Sequence, residues 1–211
     1  MAIRLGDIAP NFTANTTEGE MHFHQWLGDS WGMLFSHPAD FTPVCTTELG
    51  MAAKLMPEFA KRNVKIAAVS VDAIDDHCGW VNDINASQGT SMSFPIIADD
   101  SHVVANLYDM IHPNANATMT VRSVFIIGPD KRVKLMMTYP SSVGRNFHEV
   151  LRTIDSLQLS AQFPVATPAD WKNGDDVIIM TSVTNEQAKA QFPQGFKEIT
   201  PYLRTTAQPN K

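Results

Sequence analysis

Apolar and polar positions alternate along this chain in two distinct periods. GMLFS (residues 32–36) is a short, continuous apolar run, which predicts a strand covered on both faces. CTTELGMAAKLMPEFAKRN (45–63) then places Leu49, Ala52, Leu55, Met56 and Phe59 at helical spacing and predicts one amphipathic helix. VKIAAVSVD (64–72) predicts a second buried strand, rich in β-branched residues. A helix is expected over AIDDHCGWVNDIN (73–85), a short strand over FPIIA (94–98) and a short helix over VVANLYDM (103–110). TVRSVFIIG, PDKR and VKLMMTY (120–139) predict strand, turn and strand. NFHEVLRTIDSLQLSAQF (146–163) predicts a long amphipathic helix, with Asn146 suited to its N-cap.

Strands alternating with helices, then a hairpin and a helix, argue an α/β protein with a mixed central sheet flanked by helices. That order fits a thioredoxin-like fold over residues 1–164. Beyond Pro164 the signals thin out. PVATPADWKNGDD carries little apolar pattern, and only VIIM (177–180) and NEQAKAQF (185–192) read as elements. The stretch 165–211 looks too short for a core of its own. It is expected to be an arm that packs on the main domain or on a second copy, making a homodimer.

Composition narrows the classes. A hydrophobic fraction of 44% suffices for a globular core, and a net charge of −6 with no basic block argues against nucleic acid. No apolar run approaches the roughly 20 residues that span a bilayer. The first residues, MAIRLGDIAPNF, lack a charged-then-apolar signal pattern, so a cytoplasmic protein is expected. Two cysteines in 211 residues are no disulfide framework. His22 and His24 lack a nearby third ligand, so no metal is expected, and no cofactor.

Cys45 carries the chemical signal. If a helix begins after Thr42, Pro43 takes its first position, where a missing N–H costs nothing. Cys45 is then the third helical residue, where free backbone N–H groups stabilise an anion such as a thiolate. A small buried residue that merely starts a helix would leave the same trace. Arg122 is the second signal. It is a lone charge in an apolar strand and needs a partner, unless the strand is an edge and the side chain faces solvent.

Pro38, Thr42 and Cys45 form P-x-x-x-T-x-x-C directly after an apolar strand, and SHPADFTPVCTTE resembles the one-cysteine peroxiredoxins, the peroxiredoxin six group. TVRSVFIIGPDKRVKL, YPSSVGRNFHEVLRTIDSLQL, VATPADWKNGD and YLRTTAQP resemble later segments of that group, so the likeness runs along the whole chain. The resemblance implies a thiol-specific peroxidase reducing hydrogen peroxide and organic hydroperoxides, with an external thiol or other reductant as partner. Cys45 would be the peroxidatic nucleophile, cycling through a sulfenic acid. Thr42 would hydrogen-bond thiolate and peroxide, Pro38 would shield the pocket, and Arg122 would supply fixed positive charge. His37 would support the sulfur, and Glu48 would orient Arg122 or Arg145. A redox-regulated chaperone or sensor role is an alternative that uses the same cysteine.

Cys78 is the only other thiol, and Asp75 and Asp76 beside it disfavour a thiolate, so a resolving role is not expected. GDSWG (28–32) matches G-x-S-x-G, yet its apolar strand follows the serine, whereas a nucleophile elbow needs the strand before it. Some members of the resembled group are assigned a phospholipase activity. The matching positions here are Ser30, His24 and Asp130.

Overall fold

The computed structural model describes residues 2–211. It divides into two compact units, the first ending at Phe147 and the second running from His148 to Lys211.

The first unit is built on a seven-stranded mixed sheet. Its strands are β1 (Thr13–Thr16), β2 (Gly19–His22), β3 (Trp31–Ser36), β4 (Val64–Ser70), β5 (Ile96–Ala98), β6 (Arg122–Ile127) and β7 (Val133–Tyr139), in the order β2-β1-β5-β4-β3-β6-β7. β4 runs parallel to β3 and to β5, while β6 is antiparallel to β3. β3, β4 and β6 are the apolar runs, and nearly all their residues are buried, as strands covered on both faces must be. The helices of this unit are α1 (Phe23–Leu27), α2 (Pro43–Lys54), α3 (Met56–Lys61), α4 (Ile74–Gln88) and α5 (Val103–Leu107). The expected mixed α/β architecture is present.

The single helix expected over residues 45–63 is two helices, α2 and α3. The chain turns at Leu55 (φ −91°, ψ 2°), two residues before Pro57. Proline lacks an N–H and crowds the preceding turn, so the apolar spacing continues across a break in the backbone ladder. Leu49, Ala52 and Phe59 are fully buried all the same, on both sides of the break.

The second unit departs further from expectation. α6 (Phe147–Gln162) leads into a four-stranded sheet of order β10-β11-β9-β8. Its strands are β8 (Val165–Ala166), β9 (Val177–Ile179), β10 (Lys197–Thr200) and β11 (Leu203–Thr206), with α7 (Asn185–Gln191) between β9 and β10. Leu159, Val165, Trp171, Val177, Ile179, Val183, Ala188 and Phe192 pack as one buried cluster. The stretch read as core-poor thus holds Trp171 at the centre of a small core, 1% exposed, with its indole N–H bonded to the Asp175 carbonyl. The unit begins a helix earlier than residue 165, because the end of α6 contributes Leu159. α7 starts on a capping box of Thr184 and Gln187.

Candidate active site

The helix that starts at Pro43 follows a short loop from the buried end of β3. Thr42 is its N-cap residue, in extended conformation, and Pro43 occupies the first turn. The Thr42 side chain does not cap the helix, contrary to the simplest reading of a threonine there. Its hydroxyl donates to the Ala39 carbonyl at 2.8 Å, which leaves the oxygen lone pairs as acceptors. Cys45 lies in this uncapped first turn, 1% exposed. Phe41, which enters the turn, has φ 53°, a strained conformation for a bulky residue, and its ring is exposed. A groove of about 810 Å³ opens beside it, lined by Phe41, Thr42, Pro43, Thr46 and Trp80 among others. Pro38 is buried in the same loop.

Arg122 is the first residue of β6, an interior strand, and is 2% exposed, so the solvent-facing alternative does not hold. The Ser36 hydroxyl fixes its approach: it donates to the Val121 carbonyl at 2.6 Å and accepts from the Ser123 N–H at 3.0 Å. Arg122 Nε and Nη2 both donate to the Ser141 carbonyl, at 3.0 and 2.7 Å. Nη1 is thereby aimed at two acceptors, Glu48 Oε2 at 2.7 Å and Cys45 Sγ at 3.3 Å.

Glu48 lies one turn beyond Cys45 on α2 and joins both arginines. Arg145 grips it through Nε to Oε1 at 2.9 Å, Nη2 to Oε2 at 2.6 Å and its backbone N–H to Oε1 at 2.7 Å. Arg145 Nη1 is taken up by the carbonyls of Ser36 and Ser123, and its guanidinium stacks over Phe35 and Phe147. Burial pushes the Glu48 carboxyl up, but the hydrogen bonds and charge of Arg145, with the charge of Arg122, outweigh it and hold Glu48 below the ordinary carboxylate range. Two guanidiniums and one carboxylate leave this buried cluster one negative charge short. Cys45 Sγ lies at the edge of this cluster, within hydrogen-bond reach of Arg122 Nη1.

His37 is fully buried at the start of the loop. Its Nε2 lies 2.8 Å from Asp40 Oδ1, and Asp40 Oδ2 lies 2.5 Å from His77 Nδ1 on α4. Sequence reasoning missed Asp40 and His77. His37 and Asp40 are three residues apart and could have been paired, but His77 comes from a distant helix.

Cys78 sits next to His77 but is exposed, while Cys45 is buried, and both thiols are free. The positions Ser30, His24 and Asp130 are not brought together by hydrogen bonds. Ser30 donates to Asn63 Oδ1 at 3.0 Å, His24 Nε2 contacts the Ala9 carbonyl at 2.7 Å, and Asp130 pairs with Lys134 at 2.6 Å. Ser30 lines a cleft of about 380 Å³ with Trp26, Met56 and Phe94, and neither His24 nor Asp130 lines it.

Residues 5–136 match the AhpC/TSA family, and residues 156–195 match the C-terminal domain of 1-Cys peroxiredoxin. The chain belongs to the peroxiredoxins. It is therefore a thiol-dependent peroxidase, and its fold is the thioredoxin fold of that family. The 1-Cys peroxiredoxin of Dictyostelium discoideum is 55% identical over 99% of this chain and 87% of its own length. Peroxiredoxin-6 of Mus musculus is 55% identical over 97% of both. Among solved structures, a cysteine-to-serine mutant of the peroxiredoxin 6 of Arenicola marina superposes with a TM-score of 0.94, at 48% identity and full coverage of both chains. A yeast mitochondrial 1-Cys peroxiredoxin, described with a thiol resolving mechanism via glutathione/thioredoxin systems, superposes at 0.92 with 52% identity, covering 97% of this peroxiredoxin and 99% of the other chain. Among the described residues, no helix is long and apolar enough to cross a membrane.

Proposed function

We propose that this peroxiredoxin works through Cys45 alone, with Arg122 as its electrostatic partner. The observation that carries the reading is the 3.3 Å contact from Arg122 Nη1 to Cys45 Sγ at an uncapped helix N-terminus. The thiolate attacks one peroxide oxygen, the O–O bond breaks, and the sulfur keeps that oxygen as a sulfenic acid. The departing oxygen leaves as hydroxide or alkoxide and takes a proton to become water or an alcohol. Charge moves from sulfur to oxygen within reach of Arg122, which Ser141 and Glu48 hold in place, so the stabilising dipoles need no rearrangement. The Thr42 oxygen accepts the peroxide O–H, Pro38 keeps water out, and His37 lies on the same loop to support the oxidised sulfur.

An external thiol returns the sulfenic acid to thiol. The first thiol forms a mixed disulfide and releases water, and a second releases Cys45. Glutathione or a thioredoxin-type dithiol fits this role, by analogy with the yeast relative. Peroxide consumption with a dithiol reductant tests the assignment. Loss of turnover in Cys45→Ser and retention in Ser30→Ala are expected; turnover in Cys45→Ser contradicts it.

The protein acts as a homodimer in this reading. Ile199 and Tyr202, on the hairpin of β10 and β11, are 53% and 71% exposed and offer apolar surface to a second copy. Sedimentation at micromolar concentration is expected to give a dimer, and a monomer contradicts it.

A further inference from the structure

The cluster of His37, Asp40 and His77 is buried, with side chains at most 2% exposed. Three elements meet in it: the loop after β3, helix α4 and strand β5. The backbone of Asp40 is itself pinned, since its N–H donates to Asp72 Oδ2 at 3.0 Å and Asp72 takes the Ser70 hydroxyl at 2.6 Å.

The contacts fix the protons. His77 Nε2 faces the Ile97 carbonyl at 3.2 Å, and a carbonyl only accepts, so Nε2 carries hydrogen. Each oxygen of Asp40 faces a ring nitrogen, and two lone pairs cannot face each other at 2.5 or 2.8 Å. One proton therefore lies in each contact. His37 is protonated on Nε2, and the cluster holds three protons and no net charge. A fourth proton has one place left, His37 Nδ1, which is buried and has no hydrogen-bond partner. Protonating it would bury an uncompensated charge. Burial pushes the His37 imidazolium down, against the opposing pull of Asp40, in the same sense. The three side chains also offer ligand atoms within 4.8 Å of one another, but those atoms are already spent on each other.

The His37 ring is also tied to the reacting helix. It packs 5.2 Å from Trp80, whose indole N–H donates to Thr46 Oγ1 at 3.2 Å, the residue after Cys45. We infer that Asp40 and His77 are positioning residues for the peroxidase reaction: they lock His37 as its Nε2–H tautomer, so that Nδ1 stays a proton-free acceptor for the O–H of a peroxide or sulfenic acid. This rests on the assignment of Cys45 and His37 to one site. The chemistry that needs a further acceptor is plain: hydrogen peroxide carries two O–H groups, of which Thr42 accepts one, the sulfenic acid carries another, and Arg122 can only donate.

Ring-nitrogen correlation spectra of the full-length protein, labelled with 15N in histidine, read the tautomer directly. His37 is expected with hydrogen on Nε2 and none on Nδ1. Asp40→Leu removes the oxygen that holds the His37 proton on Nε2 and breaks the pattern. It is expected to slow stopped-flow oxidation of Cys45 by about tenfold to a hundredfold, the scale of one hydrogen bond to a charged group. His77→Leu is expected to slow it similarly, whereas His77→Gln retains a donor to Asp40 and is expected to recover most of the rate. If Asp40→Leu does not fold, the two His77 variants decide the matter. A proton on His37 Nδ1 in the wild type overturns the inference, and so do wild-type rates in Asp40→Leu and His77→Leu. Equal slowing in His77→Leu and His77→Gln also overturns it, since only packing would then matter. Cys45→Ser is run alongside: turnover in that variant sinks the assignment of the nucleophile instead, and is distinguishable from a failure of the positioning role alone.

Discussion

The two cysteines of this peroxiredoxin sit on neighbouring helices in opposite surroundings. Cys45 is buried in the first turn of α2, accepts a hydrogen bond from a guanidinium and faces a cluster that lacks one negative charge. Cys78 is exposed on α4, close in sequence to Asp75 and Asp76 in the helix's first turn. Exposure alone would point to Cys78 as the reactive thiol. The electrostatics point to Cys45, since it is the thiolate that reacts with peroxide. The comparison teaches that exposure and electrostatics can single out different thiols of one chain.

The largest effect comes from swapping the two residues for serine. Cys45→Ser is expected to abolish peroxide turnover, and Cys78→Ser to leave it unchanged, in a reductant-coupled assay. Any large loss in Cys78→Ser would break the contrast. Next comes Arg122→Met, which removes the charge and keeps much of the volume. A preorganised donor of this kind is worth about 10²–10³ in rate. Stopped-flow oxidation should show that loss while far-ultraviolet circular dichroism stays native; a rate near that of the wild type would leave Arg122 a structural role.

A smaller and different effect concerns stability. Glu48 is held below the ordinary carboxylate range by Arg145 and Arg122, against the opposing effect of burial. Its ionised form therefore contributes stability that is full above the unfolded carboxylate value, about 4.3, and is lost as pH falls through the lower folded value. Glu48→Gln leaves two buried guanidiniums without their shared partner and is expected to cost about 3 kcal/mol or more at neutral pH. Denaturant midpoints of both proteins from pH 7 to pH 3 check this. The gap should be constant down to about pH 5 and narrow below it. A gap that widens in acid would contradict the sign.

Much of the site was legible along the chain because its logic is local. Thr42 and Pro43 mark a helix start, Cys45 occupies its anion-favouring turn, and Arg122 stands out as a charge in an apolar strand. The partners of Arg122 were less legible. Glu48 and Arg145 are 97 residues apart, and nothing local says that one carboxylate serves two arginines. The pairing of Asp40 with His77, 37 residues away, was hidden for the same reason. In the fold, periodicity read through Pro57 and joined α2 to α3, because hydrophobic spacing records the buried face and not backbone continuity. Trp171 was passed over because a core made from one large ring and short strands leaves no long apolar run.

The central claim is that peroxide chemistry belongs to Cys45 and stays there. Peptide mass spectrometry after one equivalent of hydrogen peroxide, with a sulfenic-acid trap present, tests it most directly. The trap adduct is expected on the peptide carrying Cys45, over-oxidised Cys45 at higher peroxide, and Cys78 as a free thiol throughout. An adduct on Cys78, or a disulfide between Cys45 and Cys78 of one chain as the main product, would contradict it.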